Sequence, residues 1–407
     1  MMRRVTLTEY ATATGVSLGA DELSSLRRAY PTLRMEPTLG APGRFDLTPN
    51  HRIGVVQLND LTLEIRPKTP MSSVVFLVSY AAERVHWADV VTEWEDDATL
   101  VDLMAAVLSR SVERTTRRGL LSGYRAQEES LSAMRGRFLI PQQIRRRLGV
   151  APPIEVEHDL FTSDIVENRI LLSALCCLRR LPLRSASIRR EIVRASRLFG
   201  GVELVHYPRH HVPDPAITQL NQHYSPSLQI ARLVLQSLSV DVGAGARRGT
   251  AFLVDMNAVF EAFVRTAMRE SLGVTRSRFP DRAPRLRLDV AERIPLKPDL
   301  CVLTDGVISW VGDAKYKRLN PTGYQNGDIY QMLAYLTATG LSSGLLVYAA
   351  DQRQGVSSIK HVIKGTGVTV GIRTLDLDSP PSAILQQVGN LAEDVGEIVN
   401  LTSPKHT

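Results

Sequence analysis

The chain has 407 residues, of which 44% are hydrophobic and 22% are charged, and its formal net charge is +7. This composition excludes a disordered or fibrous chain, and the length allows two or three domains. No apolar run is long enough to span a bilayer, and the N-terminus lacks the apolar core of a secretory signal. We therefore expect a cytoplasmic protein with no membrane partner. The three cysteines have no zinc-site spacing and are expected to be reduced.

Residues 1–240 predict an α+β domain with a β-rich segment and several helices. Residues 1–30 are predicted helical, ending before Pro31, and could form a helix-turn-helix unit. Residues 44–67 alternate polar and apolar positions, which indicates strands. Further helices are predicted in the ranges 71–85, 98–119, 161–181, 186–199 and 226–238.

Positive charge is concentrated in the window 110–150, which holds ten arginines against three glutamates. Arginine pairs well with phosphate, so this window is a candidate for DNA contact. A solvated helix face explains the same pattern, and without further support it is the favoured interpretation.

The glycine-rich stretch "DVGAGARRGT", residues 241–250, predicts a linker between two domains. The second domain, 251–407, is predicted to be α/β, with a mixed sheet and helices packed against it. Its predicted order is helix 252–272, strands within 285–316, helix 325–339, strands within 343–375 and helix 382–400.

Two aspartates and a lysine occupy neighbouring strand-like runs of this second domain. Asp313 and Lys315 are two residues apart on "ISWVGDAKYK", so their side chains project from one face of a strand. Asp299 lies on the preceding run, and the turn "TDG" would place the two runs side by side. Carboxylates of this kind suit Mg²⁺, and an adjacent lysine can orient or help deprotonate an attacking water.

Three more polar residues could join this constellation. Glu261 lies at the margin of the apolar stripe of the helix "DMNAVFEAFVRTAM", where it could point toward the carboxylates or lie on an exposed flank. Gln331 and Tyr335 are four residues apart on one helix face, from which both can hydrogen-bond DNA or the carboxylates.

The order and spacing of these residues resemble a nuclease core. "PD" at 298–299, "DAK" at 313–315 and the Q-x-x-x-Y pair Gln331 and Tyr335 are similar to the PD-(D/E)xK core of RecB-like nucleases. The resemblance implies a restriction-endonuclease-like fold that hydrolyses phosphodiester bonds with Mg²⁺, or with Mn²⁺ in its place. It assigns Asp299, Asp313 and Glu261 as metal ligands, Lys315 as the catalytic lysine, and Gln331 and Tyr335 as further catalytic residues.

Motifs in the N-terminal half narrow the resemblance to the McrC family. These motifs are "GVVQLNDLTLEIRPK", "MRGRFLIP" and "HDLFTSDIVENRILLSAL". The resemblance implies a nuclease subunit that acts with a McrB-type AAA+ GTPase hexamer on double-stranded DNA containing modified cytosine. It also implies that residues 1–240 engage that partner and stimulate its GTPase. The sequence contains no G-x-x-x-x-G-K-[ST] motif, so GTP is expected on the partner.

Two alternatives stay open at this stage. The chain could be a non-catalytic activator or adaptor of a AAA+ GTPase. It could also be a stand-alone RecB-like repair nuclease, which would cleave DNA without a partner.

Overall fold

The computed structural model describes residues 3–58, 60–81, 99–147, 152–242, 248–317, 325–350 and 358–399. The chain divides into two compact units. Unit 1 consists of Met1–Leu103 and Ser237–Thr407, and unit 2 consists of Met104–Gln236. In the described part of the chain, no helix has the length and apolar character needed to cross a membrane.

The described elements are numbered in chain order. The helices are α1 (Ala20–Ala29), α2 (Met71–Ala81), α3 (Leu100–Thr115), α4 (Ile140–Arg147), α5 (Val166–Arg179), α6 (Ala186–Arg197), α7 (Ser225–Ser237), α8 (Met256–Ser271), α9 (Asn326–Thr339) and α10 (Pro381–Ile398). The strands up to β9 are β1 (Arg3–Thr8), β2 (Ala13–Ser17), β3 (Arg34–Pro37), β4 (Arg44–Thr48), β5 (Arg52–Gln57), β6 (Leu61–Arg66), β7 (Gly123–Leu131), β8 (Arg137–Phe138) and β9 (Ile154–Thr162). The later strands are β10 (Leu238–Val242), β11 (Arg248–Asp255), β12 (Leu286–Arg287), β13 (Pro295–Leu296), β14 (Leu300–Thr304), β15 (Val307–Lys315), β16 (Ser343–Ala350), β17 (Ser358–Val362) and β18 (Thr369–Asp376).

The predicted helix at 1–30 is correct only in its second part. Strands β1 and β2 come first, because their threonines and valines favour extended backbone. Helix α1 then begins where the backbone N–H of Gly19 donates to the Glu22 carboxylate at 2.8 Å. A single described helix precedes Pro31, so the suggested helix-turn-helix unit is wrong.

Strand β11 joins the C-terminal segment of unit 1 to its N-terminal strands. It pairs antiparallel with β5 in a five-stranded sheet of order β1-β6-β5-β11-β10. The pairing requires glycine at position 54, since a Cβ there would lie 2.0 Å from the carbonyl oxygen of Phe252.

The predicted linker 241–250 is therefore corrected. Its ends belong to β10 and β11, which pair with each other, while residues 243–247 lie outside the described residues. The division into 1–240 and 251–407 does not follow the compact units, because Met1–Leu103 belongs to the same unit as Ser237–Thr407, although one unit boundary, between Gln236 and Ser237, falls close to the predicted one. The helix predicted at 252–272 begins at Met256, after Asp255 has ended β11 and capped α8.

The second five-stranded sheet of unit 1 is mixed, as predicted. Its order is β14-β15-β16-β18-β17, with parallel pairing of β15, β16 and β18. Helix α9 packs Met332 and Leu336 onto Val311 and Leu346 of this sheet. Helix α8 contacts β15, α2 and α10, and its Phe263 ring lies 5.4 Å from the Phe76 ring of α2. Apolar burial thus fixes the strand ends that carry the polar residues.

Unit 2 contains the sheet β7-β9-β8 together with helices, and these strands were not predicted. Their sequences mix charged and apolar residues without clean alternation, since many of their side chains are exposed. The helix predicted at 161–181 begins at Val166, after β9.

The "FTSDIVENR" motif braces unit 2. Asp164 accepts two hydrogen bonds from Arg169, at 2.7 and 2.8 Å, and one from the backbone N–H of Glu203 at 3.0 Å. Hydrogen bonding to Arg169 lowers the pKa of Asp164. The Asn168 amide donates to the carbonyl oxygens of Leu121 and Ser163. These contacts give the motif a structural role within unit 2.

Candidate active site

The hairpin of β14 and β15 brings Asp299 and Asp313 together. Leu300 pairs with Gly312, so the residues that flank this pair are neighbours across the hairpin. The backbone N–H of Ala314 donates to Oδ2 of Asp299 at 3.2 Å. The predicted convergence of the two aspartates is present in the structure.

The two carboxyl groups share a buried environment with too little positive charge. Asp313 is 1% exposed, and its Oδ1 atom has no hydrogen-bond partner within the described ranges. Burial and the neighbouring Asp313 carboxylate raise the pKa of Asp299 to about 7. Burial also raises the pKa of Asp313, although Lys315 opposes that rise. At neutral pH part of the Asp299 population is therefore protonated, and an added cation would favour its ionised form.

Lys315 forms an ion pair with Asp313 and is 17% exposed. Burial acts to lower the pKa of Lys315, but the charges of Asp313 and Asp299 outweigh it and the net shift is upward. Lys315 is therefore a cation near neutral pH. The sequence left open whether it orients or deprotonates water, and the raised pKa favours a role as a fixed positive charge.

Glu261 lies on α8 and forms an ion pair with Arg265, four residues later. Arg265 in turn donates from Nε and one terminal nitrogen to the carbonyl oxygen of Asp299, both at 3.2 Å. Burial and the Asp299 charge raise the pKa of Glu261. Glu261 thus points toward the aspartates, but its nearest partner is a guanidinium.

Gln331 and Tyr335 of α9 interact directly with each other. The Gln331 amide donates to the Tyr335 hydroxyl at 2.7 Å, and that hydroxyl donates to the carbonyl oxygen of Lys297 at 3.0 Å. Tyr335 is 1% exposed, whereas Gln331 lines the cleft. The pair therefore fixes the backbone that leads into Asp299.

A cleft of about 650 Å³ opens over these residues. Its lining includes Glu261, Asp299, Lys315 and Gln331. It also includes residues that the sequence did not predict, namely Tyr10, His51, Asn257, Ala314, Lys317, Gln325 and Asp328.

Lys317 was within reach of sequence reasoning, because it follows Lys315 by two residues in a chain with seven lysines. Its Nζ lies 2.7 Å from the Asp328 carboxylate and 3.2 Å from the side-chain oxygen of Gln325. The Tyr348 hydroxyl donates to the other Asp328 oxygen at 2.7 Å. Lys317 is thus a second lysine in the lining of the cleft, held by a buried carboxylate.

Tyr10 reaches the cleft from the N-terminal strands. Its hydroxyl donates to the carbonyl oxygen of Tyr316 at 3.0 Å, directly after Lys315. Tyr10 also has a φ of 59°, in the left-handed region that a bulky residue adopts only at an energetic cost. No local sequence signal predicts this contact, because it depends on pairing between strands far apart in the chain.

A divalent cation fits the two aspartates. Mg²⁺ commonly binds one or two carboxylates and completes its shell with water and substrate phosphate. Asp313 Oδ1 is a buried acceptor in need of a partner, and an added cation would relieve the repulsion between the two carboxyl groups. Over the described ranges, no group of three or more His, Cys, Asp or Glu side chains is placed to hold a metal ion. The predicted three-carboxylate set is therefore not formed here, because Arg265 engages Glu261.

Comparison with known proteins gives a family. Residues 47–349 match the family described as McrBC 5-methylcytosine restriction system component. The match covers more than half of the chain and includes Asp299, Asp313 and Lys315.

Two similar proteins cover most of the chain. The Type IV methyl-directed restriction enzyme EcoKMcrBC of Escherichia coli K12 is 21% identical over 351 residues, which cover 81% of this chain and 99% of that protein. A solved assembly of Thermococcus gammatolerans McrB AAA+ hexamers with bound McrC contains a chain with a TM-score of 0.54 at 16% identity. That similarity covers 95% of this chain and 100% of the solved one. At this identity the structural similarity shows the fold alone.

Proposed function

The chain belongs to the family of McrBC 5-methylcytosine restriction system components, and from this membership and the carboxylate cleft we propose that it is a Mg²⁺-dependent DNA endonuclease subunit. The single observation that carries the proposal is the buried pair Asp299 and Asp313 with Lys315 beside it. In this proposal β14 to β18 form a PD-(D/E)xK core. The substrate is double-stranded DNA that contains modified cytosine.

Asp299 and Asp313 would hold Mg²⁺, or Mn²⁺ in its place. A bound Mg²⁺ supplies positive charge to the scissile phosphate and acidifies water near it. Lys315 would place a further fixed positive charge near the scissile phosphate, where negative charge increases as the phosphodiester bond breaks. The low dielectric of the buried site strengthens that interaction relative to one in water.

The remaining predicted residues position this pair. The Tyr335 hydroxyl, oriented by Gln331, holds the carbonyl of Lys297 two residues before Asp299. Glu261 orients Arg265, which holds the carbonyl of Asp299 itself. Both interactions restrict the backbone on which the first carboxylate stands.

The proposed partner is a McrB-type AAA+ GTPase hexamer. The similar solved assembly is described as McrB AAA+ hexamers with bound McrC, and this sequence has no G-x-x-x-x-G-K-[ST] motif. We assign GTP binding to the partner and stimulation of its GTPase to the N-terminal part of this chain.

The test is DNA cleavage by this chain with the AAA+ protein of its own genome, GTP and Mg²⁺, on methylated and unmethylated plasmid. Asp313→Asn keeps the shape of the side chain and removes its charge. We expect cleavage to fall by about a hundredfold or more, with GTP turnover unchanged.

Asp305→Asn is the matched control, because Asp305 lies in the exposed turn of the same hairpin with a φ of 52° that asparagine tolerates. Equal cleavage by all three proteins would contradict the nuclease assignment and favour the adaptor. Cleavage by the chain alone, with a preference for DNA ends, would favour a stand-alone repair nuclease.

A further inference from the structure

Helix α6 of unit 2 carries a row of arginines on its exposed face. A groove of about 520 Å³ runs along this face. It is lined by Ala186, Arg189, Arg190, Val193, Arg194 and Arg197. These positions repeat every three to four residues, so they lie on one side of the helix. The opposite side carries the buried residues Ile188, Ile192 and Ala195. This arginine groove therefore has a fixed backbone and a solvent-facing row of cations.

Half of the ten arginines in the window predicted from sequence, 110–150, are paired with acidic residues of the described chain. Arg137 pairs with Glu157 at 2.6 Å, and Arg146 with Glu155 at 2.8 Å. Three more of its arginines are paired with acidic residues, namely Arg110, Arg125 and Arg147. These contacts support the interpretation of that window as ordinary surface charge.

In the arginine groove, fewer of the arginines have acidic partners. Residues 179–197 contain seven arginines and one acidic residue, Glu191, which pairs with Arg110 at 3.6 Å. Arg194 pairs with Glu113 at 2.7 Å. Arg190 and Arg197 have no acidic partner in the part of the chain that the structure describes. Positive charge thus remains in excess here after local pairing.

We propose that the arginine groove binds the phosphodiester backbone of the substrate DNA outside the cleft. The inference rests on the proposed function, since it takes DNA as the substrate. From Arg189 to Arg197 the helix rises about 12 Å, a length over which duplex DNA carries about seven phosphate charges. Guanidinium groups match phosphate in charge and in planar, bidentate geometry.

The chemistry of the groove favours DNA over an acidic protein surface. Stable protein interfaces contain a core of apolar or aromatic side chains, with charged residues at the rim. The groove offers only Ala186 and Val193 as apolar lining. A backbone contact of this kind would add affinity without reading sequence.

The experiment measures binding of a fluorescent DNA duplex to the full chain by anisotropy, in EDTA and over a range of salt concentrations. Arg190→Glu with Arg197→Glu is expected to weaken binding about tenfold or more and to make the salt dependence of log K shallower by about two units. The control, Arg27→Glu with Arg28→Glu on exposed α1, makes the same charge change and is expected to bind close to wild type.

The double variant Arg190→Lys with Arg197→Lys keeps both positive charges and controls for misfolding. We expect it to bind the duplex with most of the wild-type affinity. Binding by the Glu variant equal to that of the control would overturn the proposal, as would the absence of binding by wild type at low salt. A parallel assay measures how far each variant stimulates the GTPase of the AAA+ partner. If the Glu variant binds DNA like wild type but no longer stimulates that GTPase, the proposal is overturned and the groove is assigned to a protein partner. Because EDTA prevents cleavage, these results are independent of whether the nuclease assignment holds.

Discussion

The cleft of unit 1 and the arginine groove of unit 2 are opposite electrostatic designs. The cleft buries carboxylates that lack sufficient counter-charge, so the pKa of Asp299 rises to about 7. The groove exposes arginines in water, where charge carries little desolvation penalty. In our proposals the buried imbalance would bind one small cation in a fixed geometry, whereas the exposed imbalance would attract a long polyanion with little geometric demand. The two regions should therefore respond differently to charge, pH and salt.

Lys315→Gln should have the largest effect and should be confined to the cleft. It removes the fixed cation beside Asp313, so we expect cleavage to fall about 10²- to 10³-fold. DNA affinity in EDTA should change little. Lys360→Gln on the exposed edge strand β17 makes the same chemical change and should leave both quantities near wild type. A comparable loss of DNA affinity in Lys315→Gln would show that the lysine serves binding and would weaken the contrast.

Asp299→Asn should change how the stability of the protein depends on pH, because it removes one of the two buried carboxyl groups. The folded-state pKa of about 7 lies above the ordinary value of 3.8, so the native state favours the protonated form. The free energy of unfolding of the wild type should thus decrease as pH rises from about 4 to 7. In thermal unfolding with EDTA, the melting temperature of Asp299→Asn relative to that of wild type should increase by about 2–4 °C between pH 5 and pH 8.

Added Mg²⁺ should raise the melting temperature of the wild type at pH 8 by mass action, and that of Asp299→Asn much less. If the two melting temperatures run parallel at all pH values, the pair is not strained. The idea of a cation deficit would then be wrong.

Glu261→Gln distinguishes a metal ligand from a positioning residue. Because Glu261 pairs with Arg265, we expect cleavage to fall about tenfold. The half-saturating Mg²⁺ concentration should stay near that of wild type. A titration of cleavage against Mg²⁺ measures both quantities, and a large increase in the Mg²⁺ requirement would restore Glu261 as a third ligand.

Tyr10→Phe should have the smallest effect. It removes one hydrogen bond to the Tyr316 carbonyl, worth about 1 kcal/mol, and keeps the ring. We expect a melting temperature lower by about 2–4 °C and a loss of cleavage of about fivefold. Tyr330→Phe on the exposed side of α9 is the control. Unchanged cleavage in Tyr10→Phe would mean that the N-terminal strands do not tune the site.

The sequence predicted the parts of the site that depend on local pattern. Asp299, Asp313 and Lys315 lie on one hairpin, so strand alternation and a short turn were sufficient to bring them together. Tyr10 and His51 reach the cleft through pairing of β5 with β11, whose partners are nearly 200 residues apart, and no local pattern encodes that pairing.

Charge was the least predictable property. The window 110–150 looks more basic than it is, because acidic partners such as Glu155 and Asp164 come from other elements. The segment 179–197 is also basic in the sequence, with seven arginines against one glutamate, but only the structure shows that Arg190 and Arg197 keep no acidic partner among the described residues. Composition therefore gives total charge, whereas folding decides which part of it stays unpaired.

The division of unit 1 into two chain segments has a consequence for synthesis. Strand β11 pairs with β5, and Tyr10 contacts Tyr316, so both contacts wait until the ribosome has made the intervening residues 104–236. Domains generally form in the order in which they are translated, which lets unit 2 complete its fold first. A chain released early, after unit 2, would lack Asp299, Asp313 and Lys315. Translation interrupted before residue 299 would thus release products that lack all three of the proposed cutting residues.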